Sequence, residues 1–492
     1  MNGMDLITTT EPYAHQLEAL QLAWGKEGYA FFLEMGTGKS KIIVDEIVNL
    51  IELERINLAV IIAPNNVHVN WKGEFEKHGP VGYDKWAIQI YRSKHTKEKR
   101  EKETRALLGT NKCFIFLINI EALSSASGAD YLRRILAARR KAYMVIDESH
   151  KIKNGSALRT KTCIDLGRMA YIRRIATGTE AEEGLENLYS QFRFLDPNII
   201  GVRSFTSFRH MFCIENQNQK ANGQIYSQIV GYQNQDILAK RIAPFTYQKR
   251  KKDCLDLPDK VYVTHSIEME KEQERIYKQL EQELLYELKS GAIVDATMAI
   301  TKMIRLQQIL CGHVNSSNPK VSEIIPSNRA NFVAEIVEQA SSKCIVFCRF
   351  IQDVELVVSA LAQNSIRAVG VSSRVDGADR VLEIERWRQE PEAKALVITT
   401  ATGGTGLTLN EATTTIVYSN TWSGTDRKQA EDRNHRIGQS SKVTYHDIIV
   451  PGAIDHRLLR VLMGKARSSD AFRNLMSIQE FLTEDVNDQN LA

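Results

Sequence analysis

The sequence predicts an α/β fold of two lobes in tandem, each built on a parallel sheet. Two observations lead there. Short apolar runs alternate with longer helical patterns in two separate blocks, and strands that alternate with helices lie in parallel sheets covered on both faces. The 492 residues allow roughly three structural units at about 150 residues each, enough for at least two buried cores. In the first block Tyr29–Leu33, Leu58–Ile62, Cys113–Ile118 and Tyr143–Ile146 read as buried strands. In the second, Lys343–Phe347, Ile366–Val369, Ala395–Thr399, Thr415–Tyr418 and Val443–Ile449 do the same. Residues 185–315 are expected to be mostly helical, with a loop-like break at Asn216–Asn222 and a turn at Leu257-Pro258-Asp259. Ile276, Leu280, Leu284, Leu285 and Leu288 recur at helical spacing, as do Met303, Leu306 and Ile309. The segment His313–Pro319 reads as a loop by composition.

Hydrophobic residues at 43% and charged residues at 25% exclude a disordered or fibrous chain. A net charge of +4 is too small to establish a nucleic-acid partner, although a local basic groove is compatible with it. The seven cysteines are scattered and form no CxxC pair, which points away from zinc and from a secreted disulfide framework. Cys344 and Cys348 fall on one face of their strand and read as small buried hydrophobes. No signal-peptide pattern opens the sequence and no apolar run spans a bilayer. A cytoplasmic protein without a membrane partner is expected.

The strongest local signal is Gly36-Thr37-Gly38-Lys39-Ser40, after a strand and before the helical pattern Lys41–Glu54. Phosphate needs unobstructed backbone N–H groups, a cation, and a hydroxyl for Mg²⁺. Gly36 and Gly38, Lys39, and Ser40 supply these in turn. The outermost glycine of the usual pattern is Leu33 here. A second signal is the apolar strand that ends in Asp147 and Glu148; Asp147 could hold Mg²⁺ and Glu148 polarise an attacking water. A third is Arg433 and Arg436, three apart and facing one way on a helical turn. Arginines so placed can stabilise charge on a transferring phosphoryl group or simply form a solvated face.

Together these patterns resemble the Swi/Snf-type DNA-translocating ATPases of helicase superfamily 2, from about residue 12 to about residue 465. Tyr13-Ala14-His15-Gln16 looks like the adenine-reading Q motif, and Glu34–Ser40 is similar to motif I, with Thr37 among the nucleotide-binding residues. Ala63-Pro64 through Asn70-Trp71 resembles motif Ia, and Asn119-Ile120-Glu121 the next DNA-contact motif. Asp147–His150 is a variant of motif II, and Thr177-Gly178-Thr179 begins motif III. Val346–Phe350, with Arg349, matches motif IV. Gly403–Asn410, with Gly404 and Thr405, matches motif V, and Gln429–Gln439 matches motif VI closely.

The resemblance implies two RecA-like lobes with helical protrusions inserted in each. Lobe 1 is expected over 1–245 with a protrusion over about 186–245, a basic linker over 246–262, lobe 2 over 263–480 with a protrusion over about 264–315, and a frayed tail over 481–492. It further implies ATP and Mg²⁺ as ligands and double-stranded DNA as partner. Gln16, Gly36, Thr37, Gly38, Lys39 and Ser40 would bind nucleotide, and Ser40 and Asp147 the metal. Glu148, Arg433 and Arg436 would be catalytic; Asn70, Trp71, Asn119, Arg349, Gly404 and Thr405 would contact DNA.

The implied activity is an ATP-driven motor that steps along duplex DNA by gripping phosphates rather than reading base edges. A compact bacterial or bacteriophage protein fits this reading. A strand-separating or annealing helicase is an alternative. A non-catalytic ATP-gated clamp is another, because Glu180 and Glu183 stand where the family usually has proline and asparagine. Those glutamates also suit a helix N-terminus. The stretch Arg92–Lys102 and the triplet Arg139-Arg140-Lys141 are auxiliary basic patches or solvated faces, and Trp422 is a candidate for the groove rim.

Overall fold

The computed structural model describes residues 6–64, 67–92, 95–178, 184–219, 225–290, 296–315, 322–375, 377–403, 407–464 and 481–483. The chain divides into two units, Met1–Asp256 and Leu257–Ala492. No helix of the described residues is long and apolar enough to cross a membrane.

The first unit holds β1 (Gly28–Leu33), β2 (Leu58–Ala63), β3 (Trp86–Ile90), β4 (Cys113–Asn119), β5 (Ala142–Asp147) and β6 (Ile172–Thr177). A hairpin of β7 (Cys213–Gln219) and β8 (Ile225–Tyr232) follows, then β9 (Thr246–Lys249). Seven strands form one parallel sheet in the order β3-β4-β2-β5-β6-β1-β9. Alternation distributes their side chains to two cores: Phe32, Val60, Phe116 and Met144 face one side, while Phe31, Ile61, Leu117 and Val145 face the other. Burial on both faces is why the central strands read as unbroken apolar runs.

The second unit holds β10 (Lys260–Ser266), the short pair β11 (His313–Asn315) and β12 (Ser322–Ile324), then β13 (Lys343–Cys348), β14 (Arg367–Val371), β15 (Ala393–Thr399), β16 (Ala412–Val417) and β17 (Val443–Ile449). Its six-stranded sheet runs β10-β17-β16-β13-β15-β14 with every described pairing parallel. The two-lobed parallel architecture expected from the sequence is therefore the one observed. Cys344 and Cys348 are both buried in the same core cluster. Helices Lys271–Ser290 and Ala296–Leu310 pack their apolar residues into a further cluster around Leu284, Met303 and Leu306.

Four expectations change. The tail is not frayed from 481 on, since Phe481 and Leu482 are buried in the cluster around Leu284; residues 484–492 lie outside the described residues. The segment 246–262 is not simply a linker: Thr246–Lys249 is an edge strand paired to β1 from Ala30↔Thr246 to Leu33↔Lys249, and β10 begins at Lys260. The stretch 186–245 is not all helical, since the break near Asn216 belongs to the hairpin of β7 and β8. His313–Asn315 is a strand rather than loop.

The missed strands β3, β9 and β10 are sheet edges, where one side lacks a neighbour and a continuous apolar run is not required. β6 is interior but carries Arg174, only 1% exposed, whose guanidinium pairs with Glu46 at 2.5 Å while the Tyr143 hydroxyl donates to Glu46 at 2.8 Å. A buried ion pair masks that strand in the sequence.

Candidate nucleotide and DNA site

The ends of β1, β2, β4, β5 and β6 all open on one edge of the first sheet, because the strands are parallel. That edge carries the phosphate loop after Leu33, the helix Val67–His78, Asn119, Asp147 and Thr177. Ligands of open α/β sheets bind outside the carboxyl ends of the strands.

The loop Glu34–Gly38 turns through Gly36 (φ 80°) and Gly38 (φ 89°), left-handed conformations that favour glycine. Gly38 is the N-cap of helix Lys39–Glu52, so Lys39 and Ser40 stand in its first turn, the end that favours anions. Lys39 Nζ donates to the Leu33 carbonyl at 2.7 Å and lies 3.4 Å from that of Glu34. Thr37 is fully buried, and its hydroxyl donates to the Glu34 carbonyl at 2.7 Å. A Cβ on Gly178 would meet Met35 at 3.1 Å, so that glycine lets the end of β6 lie against the loop.

Gln16 is buried and bonded at both ends of its amide. Its Oε1 accepts from Tyr13 N–H at 3.0 Å and its Nε2 donates to the Thr37 carbonyl at 3.0 Å. The structure thus places Gln16 as a brace between helix Ala14–Ala23 and the phosphate loop, with one N–H and one lone pair of its amide outside these two bonds. His15, which sequence reasoning passed over, reaches the same carbonyl at 2.8 Å. Beside them a hollow of about 620 Å³ is lined by Tyr13, His15, Glu18, Lys249 and Lys252 among others.

Asp147 ends β5, with Oδ1 accepting from Glu148 N–H and Oδ2 from Trp71 Nε1–H, each at 3.0 Å. Burial, then the neighbouring Glu148 charge, pushes the Asp147 carboxyl up to about 7, against the opposing pull of Lys39 and Trp71. Glu148 takes φ 52°, ψ 52°, a left-handed conformation uncommon for a residue with a side chain and often found at functional sites. Its carboxylate lies 3.3 Å from His150 Nδ1, which also lies 3.3 Å from the Thr177 hydroxyl. His150 therefore links motif II to the start of motif III. Thr179, Glu180 and Glu183 lie outside the described residues.

Trp71 departs from its expected role. It is 2% exposed, with the indole enclosed in the core and its N–H directed at Asp147, so its side chain presents no surface to DNA. Asn70 precedes it on the same helix and is half-buried, as is Asn119 at the end of β4.

In the second unit Arg349 directly follows β13. Its Nη1 donates to Gln307 Oε1 at 2.9 Å, the guanidinium lies 5.7 Å from the Trp422 ring centroid, and burial pushes its pKa down to about 10. Trp422 Nε1 donates to the same Gln307 oxygen at 2.8 Å. Both side chains are thereby anchored to helix Ala296–Leu310, and Trp422 is half-buried rather than standing on an open rim. Gly404 and Thr405 lie outside the described residues.

Arg433 and Arg436 do not share a helical turn. Helix Gly424–Glu431 ends before them, and the segment continues as turns. Gly438 at φ 94°, and Asn410 and Gln439 amides bonded to the Ile437, Asn410 and Asn434 carbonyls, hold those turns. Arg433 is buried and Arg436 half-buried, with Nη1 of Arg436 at 3.4 Å from the Leu407 carbonyl. On the preceding helix Arg427 is bidentate to Asp447 at 2.6 and 2.9 Å and bonds Glu431 at 2.7 Å.

The SNF2-related domain family matches residues 15–315, more than half of the chain, and the helicase conserved C-terminal domain family matches residues 328–438. The chain belongs to the SNF2-related family.

Among its relatives, an uncharacterized ATP-dependent helicase of Mycoplasma genitalium is 24% identical over 92% of this chain, and one of Mycoplasma pneumoniae is 27% identical over 92%. The SNF2-related chain spans 40% of the length of each. The SWI2/SNF2 ATPase core of Sulfolobus solfataricus in complex with double-stranded DNA aligns over 97% of this chain and 96% of its own. The identity is 20% and the TM-score 0.42.

Proposed function

We infer that this SNF2-related chain is an ATP-driven motor that translocates on double-stranded DNA. The observation that carries the reading is the convergence, at one sheet edge, of a phosphate loop with a lysine and a carboxylate pair linked through His150 to Thr177. That arrangement suits binding of a nucleoside triphosphate and activation of water. The preference for duplex DNA rests on the resemblance to Swi/Snf-type motors.

The oxygens of Ser40 and Asp147 fit Mg²⁺, a hard cation held through one or two carboxylates plus nucleotide phosphates. Burial and the Glu148 charge disfavour an ionised carboxylate at Asp147, and a nearby cation would favour it. Mg²⁺ would neutralise phosphate charge there. Lys39 would exchange its carbonyl partners for the β- and γ-phosphates, and Ser40 and Asp147 would present their oxygens to the metal. Glu148 would orient the attacking water and accept its proton. Arg433 and Arg436 are proposed to stabilise charge on the transferred phosphoryl group, and Asn70, Asn119 and Arg349 to grip DNA phosphates.

Displacement of a triplex-forming strand from duplex DNA tests the reading. ATP-dependent displacement, absent with a non-hydrolysable analogue, is expected. Displacement that needs no ATP, or none under conditions of active hydrolysis, would contradict translocation. Release of one strand from a forked duplex would instead favour a strand-separating helicase.

A further inference from the structure

The bond from Trp71 to Asp147 joins residues 76 positions apart. Among the described residues it is one of two hydrogen bonds to the carboxylate, the other being from the Glu148 N–H to the opposite oxygen. Packing alone does not require it. The Trp71 ring lies 6.2 Å from Phe75, which lies 5.2 Å from Trp86, and any large apolar ring would fill that place. What tryptophan adds is an N–H at 3.0 Å from a carboxylate in a buried site. The same helix, Val67–His78, carries half-buried Asn70 one residue earlier.

We propose that Trp71 is a positioning residue: its indole N–H holds the Asp147 carboxylate, and through it engagement of helix Val67–His78 by DNA reaches the phosphate site. A hydrogen bond of this kind is sensitive to small movements, since N–H···O contacts work best within roughly 2.7–3.2 Å. A shift of the helix by a fraction of its width therefore changes how Asp147 is presented. The transmission to DNA rests on the reading under Proposed function; the holding of Asp147 does not.

The test replaces the N–H and keeps the ring, first as Trp71→Phe, then by incorporating 3-benzothienylalanine at position 71, which preserves the bicyclic shape with sulfur in place of N–H. Mn²⁺ serves as the metal probe, its affinity read by electron paramagnetic resonance with a non-hydrolysable ATP analogue. Loss of a bond that orients a metal ligand typically weakens metal binding about 10–100-fold, and that loss is expected in both proteins. Duplex DNA is expected to tighten Mn²⁺–nucleotide binding in the starting protein but not in either variant, while DNA affinity without nucleotide is unchanged.

Mn²⁺ affinity equal to the starting protein's in the benzothienyl variant would overturn the proposal, whether or not Trp71→Phe folds. Weakened Mn²⁺ binding with the DNA effect intact would support holding and overturn transmission. If duplex DNA binds the starting protein but leaves its Mn²⁺ affinity unchanged, transmission fails. If duplex DNA does not bind at all, the motor reading itself fails, and the Mn²⁺ comparison still decides the holding role.

Discussion

Ser149 Oγ donates to Gln191 Oε1 at 2.6 Å, with both side chains buried and 42 residues apart in sequence. The bond ties the turn that begins at Glu148 to helix Glu186–Leu195. Gln191→Leu would leave the Ser149 hydroxyl buried without that acceptor, a loss of about 1–3 kcal/mol. Urea unfolding should show the loss, and steady-state kinetics should show a lower kcat with little change in KM for ATP.

Lys39→Ala should abolish hydrolysis, because no other side chain in the phosphate loop carries a positive charge to the β- and γ-phosphates. Release of inorganic phosphate measures it. Near-normal turnover would remove Lys39 from the site.

Glu148→Gln should keep ATP binding and remove water activation. Equilibrium binding of a fluorescent ATP analogue, measured beside turnover, separates the two. If binding is lost as well, the left-handed backbone at Glu148 serves structure rather than catalysis.

Asp147→Asn should stabilise the protein while it disables hydrolysis. The folded-state pKa of about 7 lies above the ordinary carboxylate value, so the folded chain binds this proton more tightly than the unfolded chain. Its stability contribution is full at acid pH and is lost as pH rises through 7. Removing the charge should raise the melting temperature most at pH 8 and progressively less toward pH 4, as calorimetry in the absence of Mg²⁺ would show. An equal shift at both pH values would mean that the carboxyl is not perturbed.

The local placement of the candidate residues was legible in the sequence. Gly36, Gly38, Lys39 and Ser40 fall within one loop and helix start, and Asp147 and Glu148 sit where an apolar strand stops, so strand-to-loop patterning located them. Relationships set by topology were not legible. Trp71 meets Asp147 only because β2 and β5 are neighbours in the sheet, and the sequence motif alone pointed that tryptophan toward DNA. The turns around Arg433 and Arg436 were hidden for a related reason. Their shape depends on side chains such as Asn410, which come from another segment. Edge strand β9 was lost to its polar composition, which suits an edge and resembles a linker.

Whether this chain is a duplex-DNA motor is decided by its steady-state rate of ATP hydrolysis, compared without nucleic acid, with single-stranded DNA and with duplex DNA. A motor of this kind should show a low basal rate raised strongly by duplex DNA, with the stimulation falling steeply as salt increases because phosphate contacts carry the binding. A rate that is the same with and without duplex DNA, or stimulation confined to single strands, would contradict it.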